Sequence, residues 1–140
     1  MSTRAGVRAV YPGSFDPFTL GHLNVLSRAR DLFDEVVVLV AVNGGKQPGV
    51  DEEQRAAAVR AVLPLEWSSV TVAAWRGLTA AYCHRHGAKV IVRGVRNTTD
   101  LQAECRLAAM NQSLGVPTVF LPARPDLVAV SSTAARTRGT

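Results

Sequence analysis

The run Glu35-Val-Val-Val-Leu-Val-Ala-Val-Asn43 is apolar and largely β-branched from end to end, with no alternation of polar and apolar residues. Such a run suits a parallel strand covered on both faces, whereas a strand with one wet side would alternate. Helices must therefore flank the sheet, and the rest of the chain supplies them. Val7 to Val10 reads as a short buried strand bounded by Gly6 and the Pro12-Gly13 turn. From His22 to about Phe33, Leu23, Leu26, Ala29 and Phe33 recur at the spacing of one helix face. Asn43 to Gly49 is a loop; Asp51 with Gln54 forms a capping-box pattern for a helix running to about Leu63, stopped by Pro64.

Val70 to Trp75 predicts a third strand, Leu78 to His86 a helix closed by Gly87, and Lys89 to Val92 a fourth strand. Thr99 or Asp100 is expected to cap the next helix. Its apolar residues Leu101, Cys105 and Ala108, with Leu107, Met110 and Leu114, run on to Gly115. Thr118 to Leu121 completes the set. Strands alternating with helices through short polar turns specify a doubly wound α/β fold, with a mostly five-stranded parallel sheet of Rossmann-like type. A chain of 140 residues with 47% hydrophobic content supports one domain spanning residues 1–140.

In such sheets ligands bind beyond the carboxyl ends of the strands. Here those ends are Pro12–Ser14, Asn43–Lys46, Trp75–Leu78, Arg93–Arg96 and the segment after Leu121, and every candidate polar residue lies at one of them. The charge balance agrees with an anionic ligand. Sixteen Lys and Arg against 11 Asp and Glu give +5, and most of the cations are arginine, which forks onto phosphate oxygens. Nucleic acid is not indicated, because clustered cations interleaved with aromatics are lacking. Cys83 and Cys105 have no partner spacing for a metal and read as small buried hydrophobes. With no apolar leader or membrane-length run, a cytoplasmic setting without membrane attachment is expected.

The stretch Tyr11-Pro-Gly-Ser-Phe-Asp-Pro-Phe-Thr-Leu-Gly-His22 joins the first strand to the first helix. Gly13 leaves the strand end bare, and His22 opens a helix whose N–H groups and dipole favour an anion, so Ser14 and His22 would face the same phosphate. Gly44-Gly45-Lys46 is not a P-loop, since the leading spacing and the following Ser or Thr are missing.

Thr19-Leu20-Gly21-His22 resembles the [H/T]-x-G-H signature of the nucleotidyltransferase superfamily, and the whole run is similar to that of the phosphopantetheine adenylyltransferase family. Arg93-Gly94-Val95-Arg96 resembles the family's R-G-[LV]-R, Asp100 to Asn111 its D-x-x-x-E-x(5)-M-N, and Val130-Ser131-Ser132-Thr133 its [IV]-S-S-[ST]. The resemblance implies transfer of AMP from ATP to 4′-phosphopantetheine, giving dephospho-coenzyme A and pyrophosphate, with Mg²⁺ accompanying the triphosphate and no metal site built from protein ligands alone. It implies His22, Ser14 and Arg96 as catalytic donors. Ser14, Phe15, His22, Arg96, Glu104, Ser131, Ser132 and Thr133 would bind nucleotide; Ser14, Lys46, Leu78, Thr79, Arg93 and Asn111 would bind the acceptor. Homo-oligomers, as hexamers, are expected from the same source.

Departures from the family pattern lie at the rim. Ala103 and Cys105 stand where a bulky residue usually flanks the glutamate, Val50 replaces the aromatic of F-[ST]-x-x-[ER]-R, and Leu127-Val-Ala129 replaces aromatic and polar residues. Seven residues follow Thr133, fewer than an isolated helix needs to hold itself in water, so this end is expected to fray without nucleotide. The reaction type is therefore better founded than the acceptor. The competing expectations are a relative using CTP or another phosphate acceptor, and a catalytically silent nucleotide-binding homologue.

Overall fold

The computed structural model describes residues 6–42 and 50–124. Its elements follow in the order β1 (Arg8–Gly13), α1 (Leu20–Leu32), β2 (Glu35–Ala41), α2 (Val50–Val62), β3 (Val70–Trp75), α3 (Thr79–His86), β4 (Val90–Val95), α4 (Thr98–Ser113) and β5 (Thr118–Pro122). The five strands form one sheet in the order β3-β2-β1-β4-β5, and every pairing is parallel. β1 lies at the centre, where the chain first winds outward through β2 and β3 and then returns to β4 and β5. That reversal beside β1 is the topological switch point at which an open α/β sheet presents its ligand crevice.

Both faces of β2 are covered, as its unalternating sequence requires. On one, Ala9, Tyr11, Val36, Val38, Val40, Val90 and Val92 pack against Val25, Leu26 and Ala29 of α1 and Ala56 and Val59 of α2. On the other, Val10, Val37, Leu39 and Ile91 meet Ala80, Tyr82 and Cys83 of α3, with Ala88 and Val116. Each fully buried Leu or Val contributes about 1.5–3 kcal/mol relative to exposure, so this pair of layers fixes the register of the whole sheet.

Several boundaries depart from the sequence reading. β1 continues through Pro12 and Gly13, which pair with Leu39 and Val40 of β2, so these residues end a strand and do not form the turn after it. Thr19 caps α1 and the helix begins two residues before His22. Asp51 lies inside α2, where it pairs with Arg55 one turn on at 3.3 Å, and is not its cap. Asn97, not Thr99 or Asp100, caps α4, its side chain accepting from the Asp100 N–H at 2.8 Å. Gly87 closes α3 at φ 71°, a left-handed position that costs glycine least.

The larger correction concerns α4. Leu101, Leu107, Met110 and Leu114 are exposed, Cys105 is exposed where burial was expected, and among the described residues Asn111 is the buried one of this helix. The helix stands off from the sheet and leaves a cleft beneath part of its length. Cys83 keeps to the expectation: it is fully buried in α3, and burial pushes its thiol up to about 11.

Arginines stitch the elements together through backbone carbonyls. Arg8 donates to the His86 carbonyl at 2.6 Å, Arg60 to that of Val72 at 3.0 Å, Arg28 to that of Pro122, Arg55 to that of Ser14 and Arg93 to that of Pro12.

Candidate active site

β1 runs beside β2 for its full length but pairs with β4 only through Ala9–Val90 and Val10–Ile91. Beyond those pairs the backbone of β1 and β4 no longer exchanges hydrogen bonds, and the Pro12 carbonyl would be left without a donor. Arg93 on β4 supplies it through Nη1. The remaining guanidinium edge meets Glu104 of α4 in a two-pronged pair, Nε to Oε1 and Nη2 to Oε2, both at 2.8 Å. Burial alone would ease the proton off Arg93, but the bonds and charge of Glu104 outweigh it and raise its pKa, so the residue is a fixed cation.

Around this parting lies a cleft of about 800 Å³ whose wall includes Gly13, Ser14, Leu78, Thr79, Arg93 and Asn111. It reaches from the end of β1 down between the sheet and α4 to Ile91 and Thr118. Asn111 is 3% exposed, and its Oδ1 has no hydrogen-bond partner; the Thr118 Oγ1 is in the same position. Orphaned buried acceptors of this kind cost about 1–3 kcal/mol each and are relieved by a ligand or water that donates to them.

The turn after β1 is built by aromatic packing. Phe15 holds φ 50°, uncommon for a residue with a side chain and worth about 1–3 kcal/mol of strain. Its buried ring folds back over Gly13, where an added Cβ would lie 2.9 Å from the ring. The glycine is therefore required by the Phe15 ring, and it also lines the cleft. Phe15 also stands edge-on to His22, with centroids 5.1 Å apart, and Phe18 and Tyr11 lie 5.5 and 6.5 Å from the same imidazole.

This surround sets the state of His22. Burial among the rings, followed by the charges of Arg93 and Arg96, lowers its pKa to about 4, so the imidazole is neutral at physiological pH. The Thr19 N–H donates to Nδ1 at 2.9 Å, and a backbone amide can only donate, so Nδ1 carries no proton and Nε2 carries it. His22 is also the third helical residue of a capping box, its own N–H bonded to the Thr19 Oγ1 at 3.2 Å. That N–H is not open to an anion; the ring Nε2–H remains as a donor.

Arg96 is held more loosely. Its backbone N–H donates to Asp100 at 3.0 Å, while its exposed guanidinium keeps a long 3.7 Å contact with the same carboxylate. Opposite, Arg76 at the end of β3 lies 2.8 Å from buried Glu52 of α2, closing that side of the cleft. The whole arrangement is cationic and donor-rich at the top of β1, with an apolar trough and buried acceptors below.

The cytidylyltransferase-like family model matches residues 10–138, which takes in all of this site. The phosphopantetheine adenylyltransferase of Kocuria rhizophila is 48% identical over 126 residues, covering 89% of this chain and 81% of that protein. The one from Treponema pallidum is 46% identical over 132 residues, covering 93% and 82%. The chain belongs to the phosphopantetheine adenylyltransferase family. Among solved structures, a putative nicotinate-nucleotide adenylyltransferase from Vibrio parahaemolyticus superposes with a TM-score of 0.65 at 17% identity, over 95% of this chain and 80% of that one, a likeness of fold. A lipopolysaccharide core biosynthesis protein from Thermoplasma volcanium gives 0.57 at 26% identity, over 86% and 98%.

For a phosphopantetheine adenylyltransferase family member, the candidate residues divide in space. Ser14, Leu78, Thr79, Arg93, Glu104 and Asn111 share the cleft wall. His22 packs on the α1 side of the sheet, within the electrostatic reach of Arg93 and Arg96. The Phe15 side chain is buried and leaves only its backbone to a ligand. Glu104 meets the cleft while paired with Arg93. Lys46, Ser131, Ser132 and Thr133, with the expected fraying after Thr133, lie outside the described residues.

Sequence reasoning missed Arg55, Arg76 and Glu52. Arg76 directly follows β3 and was open to the strand-end rule, whereas Arg55 and Glu52 sit in a helix whose charged residues look merely solvated.

Proposed function

We propose that this protein transfers the adenylyl group of ATP to 4′-phosphopantetheine, giving dephospho-coenzyme A and pyrophosphate. The observation that carries the reading is the parting of β1 and β4, with Arg93 and Ser14 at its mouth and Asn111 in its trough, in a chain of this family. The mouth suits a phosphate, and the elongated trough suits an amide-bearing arm that can donate to buried acceptors.

An oxygen of the acceptor phosphate attacks the α-phosphorus of ATP as the bond to the β,γ-pyrophosphate breaks, so no protein nucleophile is needed. The protein supplies positioning and donors for charge that grows on the transferred group. His22 donates through Nε2–H, with Ser14 and Arg96 beside it. Arg93 and Lys46 hold the attacking phosphate, Leu78 and Thr79 line the acceptor's path, and the segment Ser131-Ser132-Thr133 receives the nucleotide phosphates. Mg²⁺ bound with ATP would offset the charge of the triphosphate. Among the described residues there is no group of three or more His, Cys, Asp and Glu placed to hold a metal ion.

The exposed Leu101 and Leu114 of α4, which do not line the cleft, support assembly into a homo-oligomer, as in the hexamer expected of the family. Two free cysteines suit a reducing, cytoplasmic compartment, and no described helix is long and apolar enough to cross a membrane. Pyrophosphate release with ATP and 4′-phosphopantetheine tests the function. Turnover only with CTP, or only with another phosphate acceptor, would move the assignment within the superfamily. Nucleotide binding without pyrophosphate release on any acceptor would mark a silent homologue.

A further inference from the structure

Arg55 of α2 is 11% exposed, and it is the unexpected neighbour of the turn after β1. Its Nη1 donates to the Ser14 carbonyl, and Asp51 one helical turn earlier holds its Nε at 3.3 Å. The Ser14–Phe15 peptide is trans, so its carbonyl and its N–H point in opposite directions. Fixing the Ser14 carbonyl toward α2 therefore aims the Phe15 N–H away from α2. α2 packs over β2 and β3, and Ser14, at the other end of that peptide, lines the cleft where β1 and β4 part. The Phe15 N–H donates to none of the described residues.

The positive φ of Phe15 is thus gripped from both sides, by Arg55 on the preceding carbonyl and by the ring seated over Gly13. We propose that Arg55 is a positioning residue that orients the Phe15 amide as a donor to a nucleotide phosphate. The inference rests on reading the turn as a phosphate site and adds to it the residue that sets its geometry. A lysine could reach the carbonyl with its single ammonium but could not at the same time hold a second nitrogen against the Asp51 carboxylate as the guanidinium does, so a charge-conserving exchange is not equivalent.

The test uses the full chain labelled with ¹⁵N. In the wild type, saturating ATP should move the Phe15 amide resonance downfield, as a new hydrogen bond to phosphate requires. Arg55→Met keeps the apolar stem and removes the donors; the Phe15 shift on adding ATP should disappear, and kcat should fall about 10- to 100-fold, less than the loss of a whole preorganised donor. Arg55→Lys should fall between the two, and it replaces the methionine variant as the deciding measurement if that variant does not fold. A folded Arg55→Met protein with the wild-type ATP-induced shift or the wild-type kcat overturns the proposal, as does a wild-type Phe15 amide indifferent to ATP. If the wild type fails to turn over 4′-phosphopantetheine, the acceptor assignment fails, while the amide titration with ATP still decides the role of Arg55.

Discussion

Gly94 of β4 lies so close to Val25 of α1 that a Cβ on the glycine would stand 2.9 Å from the valine Cγ2. The contact seats the helix carrying His22 against the strand that carries Arg93 and leads into Arg96. Val25 is buried and β-branched, so it cannot swing aside. Gly94→Ala should destabilise the protein by about 1–3 kcal/mol, the usual penalty of overpacking. Urea denaturation of the single variants and of Gly94→Ala with Val25→Ala checks this: the double variant should be more stable than the sum of the single losses allows. Strict additivity would show that the contact is not where the strain falls.

His22→Ala should lower turnover roughly 10²–10³-fold with little change in ATP affinity, the pattern expected when one preorganised transition-state donor is removed. Because Nδ1 is occupied by the Thr19 N–H, only a replacement that offers a donor near the Nε2 position should recover part of the loss. His22→Gln is the variant to compare, by steady-state kinetics in both substrates. Near-normal turnover in folded His22→Ala would reduce the residue to its capping role.

The same histidine makes stability depend on pH. Its folded pKa of about 4 lies below the ordinary value of 6.5, because burial disfavours the imidazolium. The unfolded chain therefore takes up the proton first as pH falls. The stabilisation is complete above 6.5 and is lost between 6.5 and 4, by roughly 3 kcal/mol over the whole window. Denaturation midpoints of wild type and His22→Gln measured across this range should converge on the acid side. Parallel curves would contradict a buried neutral imidazole.

Lys46→Ala and Arg93→Ala should weaken the acceptor more than ATP, and Arg96→Ala should do the reverse. Calorimetric titration of each variant with each ligand decides it. Arg93→Ala carries a further signature, since it strands Glu104 and the Pro12 carbonyl. Its stability should fall on the order of 3 kcal/mol, the cost of breaking a largely desolvated ion pair from one side. Arg96→Ala, with only a long exposed contact to Asp100, should lose almost none. Equal losses of both ligands in all three variants would refute the division.

Elements declared themselves in the sequence wherever burial on both faces left a chemical mark. β2 and β3 were read to within a residue or two because β-branched runs have few other uses. β1 was read short because Pro12 and Gly13 are usually punctuation. Here the central strand tolerates them past the point where β1 and β4 stop pairing, and an arginine takes up the spare carbonyl. α4 misled in the other direction: its leucines have helical spacing, yet none is buried, Leu107 lining the cleft and Leu101 lying exposed, and the polar Asn111 is the residue that goes in. The strand-end rule gathered the site residues that single positions could suggest. It could not foresee that Glu104 would pair with Arg93, or that Arg55 would cross from another helix to the turn, because both depend on geometry that a linear pattern does not encode.

The arginines that grip backbone carbonyls change the meaning of the net charge. Arg8, Arg28, Arg55, Arg60 and Arg93 each close a gap in the scaffold that a lysine's single point of contact would close poorly. Much of the +5 is thus architectural mortar, not bait for polyanions. Exchanging these residues for lysine would preserve the isoelectric point and dismantle the joinery around the cleft.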